Sequence, residues 1–398
     1  MTAAPIDVER VRAETPGCEK RIHFNNAGAS LMPRPVVDAV RDHLELETVI
    51  GGYEAAEAES DRIDAVYQAA ARLVNCRADE IALMENATRA WQAVFYGNQF
   101  RRGDRILTAR AEYSSNFMAY LHVAQGHGVE IVVVEDDEHG QIDVDRLASS
   151  IDGRTRLISM SHIPTSGGLV NPAERVGQVA RAAGVPFLLD ACQSVGQMPI
   201  DVEAIGCDFL STTGRKFIRA PRGTGFLYVS QERLEDLHPP WVEIGSGDWS
   251  SRDGYTLKPN ARRFETWEVS YALQLGLGRA LEYATEISVP AIWSRVSELA
   301  AALREQLAGI PGVTVHDLGE VRCGIVTFSA GGIGADEIRE ALARAGINVY
   351  VSKVDNTRLD LERRGLDRIV RASVHYFNTQ DEIDEAVGAV KRVVSGRG

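Results

Sequence analysis

Two residues of opposite charge, Asp190 and Lys216, follow neighbouring apolar runs of the chain. The run Phe187–Leu189 leads directly into Asp190, and the run Cys207–Leu210 leads into a polar loop that carries Lys216. Apolar runs of this length between turn residues are typical of buried strands. Asp190 is therefore predicted at the carboxyl end of a strand, where open α/β sheets bind their ligands.

A buried aspartate beside a lysine suits one kind of cofactor chemistry. A lysine amino group can hold an aldehyde as a Schiff base, and an aspartate can keep a pyridine nitrogen protonated so that the ring accepts electrons. The pair thus indicates pyridoxal phosphate. An ordinary ion pair at the end of a sheet is the simpler alternative, and the spacing of Asp190 and Lys216 alone leaves both open.

Two further strand ends carry groups that could serve a cofactor. Ala87 and Thr88 follow the predicted strand Ile81–Met84 and begin a helix, where free backbone amides can bind a phosphate. Tyr113 follows the predicted strand Arg105–Thr108, where an aromatic ring could stack on a cofactor. Taken singly, a plain helix cap and an ordinary packed tyrosine explain these residues equally well.

The elements that would position these residues alternate between strand and helix from about residue 81 to residue 229, as βαβ units do. The segment 242–263 shows no clear period. A long helix over about 290–308 then leads into a tail that mixes strands and helices. We therefore predict an N-terminal arm at 1–22, a large domain at 23–288 and a small C-terminal domain at 289–398.

Composition narrows the class of protein. The 398 residues are 44% hydrophobic and 25% charged, which is typical of a globular chain, and the net charge is −13. No block of lysine and arginine indicates nucleic-acid binding, and no apolar run is long enough to span a membrane. The five cysteines are scattered without metal-ligand spacing, which favours free thiols in the reducing cytoplasm.

Together these residues resemble class V aminotransferase-fold enzymes that depend on pyridoxal phosphate. That group includes cysteine desulfurases, isopenicillin N epimerase-like proteins and the C–S lyase of ergothioneine biosynthesis. The resemblance runs from Phe24 to about Val394. The motifs that carry it are Ala87-Thr88, Glu112-Tyr113, Asp190–Ser194, Thr213–Lys216 and Arg371–Ser373. It implies the α/β fold type I of these transferases, with a mixed, mostly parallel sheet in the large domain and a smaller α+β domain after it.

The resemblance also implies a role for each matching residue. Lys216 would hold the cofactor and move a proton at the substrate α-carbon, Asp190 would hold the ring nitrogen, and Tyr113 would stack on the ring. The implied cofactor ligands are Ala87, Thr88, Tyr113, Thr165, Asp190, Gln193, Thr213, Arg215 and Lys216. The implied substrate residues are Ala27, Gly28, Tyr53 and Arg371. Arg371 would grip the carboxylate of a small amino acid, and Tyr53 would reach the site from the partner subunit of a homodimer with shared active sites.

The choice of reaction depends on a missing residue. Desulfurases take sulfur onto a cysteine in a loop of the C-terminal domain, and no cysteine stands between Ile347 and Arg371. The sequence therefore predicts a lyase that cleaves the C–S bond of a cysteine S-conjugate or related sulfur amino acid by β-elimination, and it disfavours a cysteine desulfurase. An epimerase, an aminotransferase or a decarboxylating deaminase of the same fold is the alternative. A non-catalytic binding protein is a further alternative, against which the intact Lys216 argues.

Overall fold

The computed structural model describes residues 5–396. Residues 1–4 of the predicted arm and residues 397–398 of the predicted small domain lie outside the described residues.

The α-helices are α1 (Val8–Ala13), α2 (Arg34–Ile50), α3 (Gly52–Ala58), α4 (Ser60–Val74), α5 (Ala87–Gly97), α6 (Ser114–His127), α7 (Val144–Ser150), α8 (Ala173–Ala183), α9 (Val202–Ile205), α10 (Tyr271–Ile287), α11 (Val289–Ala308), α12 (Ala335–Arg344), α13 (Arg358–Arg363) and α14 (Gln380–Val394). The strands are β1 (Ile22–His23), β2 (Ile81–Met84), β3 (Arg105–Thr108), β4 (Glu130–Val133), β5 (Thr155–Ser161), β6 (Phe187–Asp190), β7 (Phe209–Thr213), β8 (Gly225–Val229), β9 (Gly247–Ser251), β10 (Gly254–Leu257), β11 (Val313–Val315), β12 (Ile325–Ala330), β13 (Ile347–Asn348), β14 (Tyr350–Lys353) and β15 (Arg368–Ser373).

A large sheet carries the candidate site. Among the described residues its strands follow the order β2-β8-β7-β6-β5-β3-β4. Strands β7, β6, β5, β3 and β4 pair in parallel, whereas β8 runs antiparallel to both of its neighbours. The predicted α/β fold with a mixed, mostly parallel sheet is confirmed. The short apolar run ending in Asp190 is β6, a strand with paired neighbours on both sides.

Helices cover both faces of this sheet. Leu189 packs into a core shared with α4, α8 and α10, while Leu188 packs into a second core with α5 and α6 on the opposite face. The alternation follows from the strand geometry, which points successive side chains to opposite sides. Since both faces are buried, β6 needs a continuous apolar run, which is why its sequence carries no polar residue before Asp190.

A smaller antiparallel sheet, in the order β11-β12-β15-β14, packs against α11, α12 and α14. Near the N-terminus, β1 pairs in parallel with β13 in a separate two-stranded sheet. Arg371 lies on β15, so the antiparallel sheet brings a residue to the site from far along the chain. The exact division of the chain at residue 289 stays a prediction.

The segment 242–263 holds an element that its sequence pattern did not indicate. Strands β9 and β10 form an antiparallel hairpin around Arg252 and Asp253. Their side chains are mostly exposed, so no alternation of apolar and polar residues marks them. The dipeptide Asp253-Gly254 is a recognised hairpin signal and was the available clue. No helix in the described part of the chain is both long and apolar enough to cross a membrane.

Candidate active site

A cavity of about 490 Å³ opens beside the carboxyl ends of the parallel strands. The loops after β2, β3, β5, β6 and β7 form its walls. The residues that line it are Asn86, Ala87, Thr88, Arg89, Tyr113, Asn116, Ser161, Ile163, Thr165, Asp190, Cys192, Gln193, Thr213, Arg215 and Lys216. This set contains every cofactor ligand implied by the sequence motifs.

Asp190 is held in a fixed orientation at the end of β6. The side-chain amide of Asn116 donates to Oδ2 at 2.9 Å, and the backbone N–H of Cys192 donates to Oδ1 at 3.0 Å. Both carboxylate oxygens are therefore oriented by groups other than Lys216. This arrangement disfavours the simple ion pair that the spacing left open and leaves the carboxylate able to hold a ring nitrogen.

Lys216 lies in the loop after β7 and is only 9% exposed. Burial lowers the pKa of its amino group, and the positive charges of Arg215 and Arg371 lower it further. A lysine amine with a lowered pKa is a better nucleophile and a better base near neutral pH. The surroundings of Lys216 thus suit both a covalent link to an aldehyde and proton transfer.

The start of α5 forms one end of the cavity. Asn86 caps this helix by accepting a hydrogen bond from the N–H of Arg89 at 3.0 Å. Ala87 and Thr88 occupy the first turn, where backbone amides lack partners within the helix. Arg215 lies on the same cavity. Helix amides and a guanidinium that line one cavity favour the binding of a phosphate there.

Arg371 reaches the site from β15 and is 4% exposed. Its Nη1 donates to the carbonyl oxygen of Thr165 at 2.9 Å and to the Thr165 hydroxyl at 2.8 Å. Its guanidinium stacks on the ring of Tyr350 at 4.6 Å from the ring centroid. Burial lowers the pKa of Arg371 to about 10, so the group stays protonated at neutral pH. Its Nε is buried without a partner, and a bound carboxylate would supply one.

Thr165 lines the cavity and links Arg371 to Gln193. Its hydroxyl accepts from Arg371 and also from Nε2 of Gln193, at 3.2 Å. Nε2 of Gln193 also donates to the carbonyl oxygen of Ala27 at 3.2 Å, while its Oε1 is buried without a partner. Ala27 thus contacts the site through its backbone. The free amide oxygen, like the free Nε of Arg371, indicates a polar ligand in this cavity.

Two of the predicted substrate residues, Gly28 and Tyr53, do not line this cavity. The backbone N–H of Gly28 donates to the carbonyl oxygen of Asn25 at 3.0 Å, in the turn that follows Ala27. Tyr53 is 75% exposed and lines a separate cavity of about 660 Å³ together with Trp267. Within one chain the structure therefore does not bring Tyr53 to Lys216.

The sequence motifs gave no role to Glu112 or Asn116. The structure buries both, and Asn116 bridges Glu112 and Asp190. The signal available in the sequence was their separation of four residues at a predicted helix start, which places side chains near one another. Asn86, at the cap of α5, was likewise not singled out as a site residue.

The residues fit pyridoxal phosphate. A fixed carboxylate, a buried lysine, an aromatic ring at Tyr113 and a helix start beside an arginine meet in one cavity, and each matches a part of that cofactor. The unpartnered Oε1 of Gln193 belongs to a residue of this cavity, and the unpartnered Nε of Arg371 belongs to a residue that contacts Thr165.

Comparisons with known proteins support the same fold and chemistry. Residues 22–386 match the model of the family described as aminotransferase class-V. A probable cysteine desulfurase of Methanothermobacter thermautotrophicus is 29% identical over 98% of both chains, and a cysteine desulfurase of Pectobacterium atrosepticum is 30% identical over 97% of this chain and 98% of that protein. The solved structure of a cysteine desulfurase from Thermococcus onnurineus superposes with a TM-score of 0.92 at 25% identity, over the whole of both chains.

These relatives overturn the functional prediction. A lyase for cysteine S-conjugates is wrong, because the relatives and the solved structure are cysteine desulfurases. The prediction relied on the absence of a cysteine between Ile347 and Arg371. Sulfur transfer requires a thiolate nucleophile, but the chemistry does not require that thiolate to come from one particular loop.

Proposed function

Because the chain belongs to the aminotransferase class-V family, we propose that it is a cysteine desulfurase, which removes the sulfur of L-cysteine and leaves L-alanine. Its cofactor is pyridoxal phosphate. When bound, the cofactor holds the amino acid through its nitrogen and withdraws electrons from the α-carbon. The observation that carries the proposal is that Lys216 lines the cavity and Arg371 hydrogen-bonds to the cavity residue Thr165, in a chain whose relatives are desulfurases.

Arg371 and Lys216 act on different groups of the substrate amino acid. Arg371 binds the α-carboxylate with a planar fork, which fixes the direction of the rest of the substrate. Lys216, whose pKa is lowered by burial, takes the α-proton and later returns a proton to carbon.

The placement of the chain's cysteines argues that the sulfur acceptor comes from outside. Cys192 lines the cavity, but burial raises the pKa of its thiol and Asp190 raises it further, so the thiol stays protonated and is a poor nucleophile. Cys323 is fully buried in a core cluster. The remaining cysteines lie away from this cavity at positions 18, 76 and 207. We therefore infer that a diffusible thiol, or the thiol of another protein, accepts the sulfur.

The proposed transfer of sulfur from L-cysteine to the acceptor thiol needs no additional oxidant. The acceptor thiolate forms an S–S bond with the substrate sulfur, and the Cβ–S bond breaks with its electron pair going to Cβ. The carbon then takes the proton that the acceptor thiol released. The β-carbon is reduced to the methyl group of alanine, and the acceptor is oxidised to a persulfide.

We expect the holoenzyme, supplied with L-cysteine and dithiothreitol, to release alanine and sulfide in equal amounts. Amino-acid analysis and a sulfide assay measure both products. Formation of pyruvate and ammonia in place of alanine would disprove desulfuration. Boiled enzyme with free pyridoxal phosphate is the control, because the free cofactor degrades cysteine slowly by itself.

We also propose that the enzyme is a homodimer whose second subunit borders the active site. Val49, Tyr53 and Trp267 are exposed apolar residues, and the last two line one cavity. Glu85 lines this cavity too and immediately precedes Asn86, which lines the cofactor cavity. An exposed apolar patch beside an active site is typical of a subunit interface.

Replacing both Tyr53 and Trp267 by glutamate should bring a charge into this patch and yield monomers, as measured by light scattering after size-exclusion chromatography. Met118→Glu, at an exposed position of α6, is the matched control and should leave the mass unchanged. A dimer that persists in the double variant would contradict the assignment of this surface. The cytoplasmic location remains a prediction.

A further inference from the structure

Glu112 is a buried carboxylate next to the cofactor cavity and is 3% exposed. Its Oε1 accepts hydrogen bonds from the N–H of Tyr113 at 2.7 Å and from the side-chain amide of Asn116 at 3.0 Å. Its Oε2 accepts from the N–H of Ser161 at 2.9 Å and from the hydroxyl of Thr108 at 3.3 Å. The Ser161 hydroxyl also donates to Oε1. A carboxylate surrounded only by donors is held in one orientation.

Asn116 links this carboxylate to Asp190. Its Nδ2 donates to Glu112 at 3.0 Å and to Asp190 at 2.9 Å, so that one amide group serves two carboxylates. Ser161 and Asp190 are also partners in the register of β5 and β6. Asp190, in turn, is the acid that would hold the ring nitrogen of the cofactor. A continuous hydrogen-bonded chain thus runs from Glu112 through Asn116 to Asp190, the residue that would hold the cofactor nitrogen.

We propose that Glu112 is a positioning residue that acts through Asn116, orienting Asp190 and setting how firmly it holds the proton on the cofactor nitrogen. An ionised Glu112 places a second negative charge near Asp190. Like charges raise the proton affinity of one another. The ring proton is therefore held more firmly when Glu112 is ionised than when it is neutral.

The environment of Glu112 makes its charge sensitive to pH. Burial raises the pKa of Glu112 to about 7; the hydrogen bond from Ser161 opposes this shift, and the charge of Asp190 adds to it. Asp190 on β6 and Tyr120 on α6 are the titratable groups that act on it from the packed elements. Burial raises the pKa of Tyr120 well above its usual value, so this phenol stays neutral. Glu112 is the group that changes charge near neutral pH.

The test is the visible absorbance of the bound cofactor as a function of pH, without substrate. The wild-type holoenzyme should show a transition near neutral pH, and Glu112→Gln should lose it. Titration of the apoprotein with pyridoxal phosphate should show about tenfold weaker binding to the variant, because a charged acceptor with several donors is lost. Glu174→Gln, at an exposed position of α8, is the matched control and should keep both properties.

A second variant keeps the test decisive if Glu112→Gln does not fold. Ser161→Ala removes one donor to Glu112 and retains the backbone N–H, so the transition should move to higher pH. A merely structural role for Glu112 predicts no such movement. Absorbance curves of the folded variants that superimpose on the wild-type curve would overturn the proposal. The absorbance is measured on the bound cofactor without substrate, so its outcome does not depend on which product the enzyme releases.

Discussion

Lys216→Ala should reduce alanine formation from L-cysteine by about 10³-fold or more, because the variant loses both the covalent holder of the cofactor and the proton carrier. The amine is buried beside Arg215 and Arg371, where its lowered pKa favours the neutral, reactive form. Other lysines of the chain lack these surroundings. The measurement is the initial rate of alanine release with saturating pyridoxal phosphate, which separates lost chemistry from weaker cofactor binding.

A second readout identifies the residue directly. Borohydride reduction of the wild-type holoenzyme should fix the cofactor to the peptide that contains Lys216, and mass spectrometry should find no such adduct in the variant. Lys391→Ala, on the exposed side of α14, is the matched control and should behave as wild type. An active Lys216→Ala enzyme, or an adduct on another lysine, would remove the basis of the catalytic assignment.

Arg371→Lys should lower kcat/KM for L-cysteine roughly 10- to 100-fold, with most of the loss in KM. Lysine retains the positive charge but cannot form the two parallel hydrogen bonds by which a guanidinium grips a carboxylate. It also cannot satisfy the carbonyl and the hydroxyl of Thr165 while reaching the substrate. The loss should therefore reflect geometry rather than charge.

Two further variants test whether the loss comes from the geometry of the Arg371 guanidinium. Arg368→Lys changes the same residue type at the exposed start of β15 and should leave KM unaltered. Thr165→Val removes the hydroxyl that orients Arg371 and should raise KM in the same direction, by about tenfold. If Arg371→Lys binds cysteine as tightly as wild type does, the carboxylate is recognised elsewhere in the cavity.

The sequence was sufficient to predict those site residues that belong to short local motifs. Asp190 ends an apolar run that only a buried strand needs, and Thr88 follows a strand at a helix start. Lys216 stands in a loop after the next strand. Each position depends on residues within a few places of it, so local pattern was sufficient. The fold and the cofactor followed from the same motifs.

Contacts between distant residues could not be predicted in this way. The hydrogen bond between Thr165 and Arg371 joins residues 206 positions apart, and the bond between Asn116 and Asp190 spans 74 positions. Such pairs depend on how two sheets and their loops pack, which no local pattern records. The hairpin β9–β10 was missed for a different reason, since its exposed strands carry no apolar alternation.

The error in function has a physical explanation as well. The absence of a cysteine between Ile347 and Arg371 excludes an acceptor in that segment, but it does not exclude the reaction. β-Elimination and desulfuration need the same lysine, arginine and ring-holding acid, so these residues do not distinguish them. What distinguishes them is the fate of the Cβ–S electron pair, which depends on whether a thiolate reaches the sulfur.

The most direct test of the account is a single-turnover reaction with holoenzyme in molar excess over L-cysteine, with and without an added thiol. Excess enzyme leaves no free cysteine to act as acceptor. We predict alanine only when the thiol is present, with the sulfur recovered as its persulfide. Alanine formed without added thiol, together with one sulfur atom bound to the protein, would refute an external acceptor while leaving desulfuration intact. Pyruvate formed at the same rate in both reactions would contradict desulfuration itself.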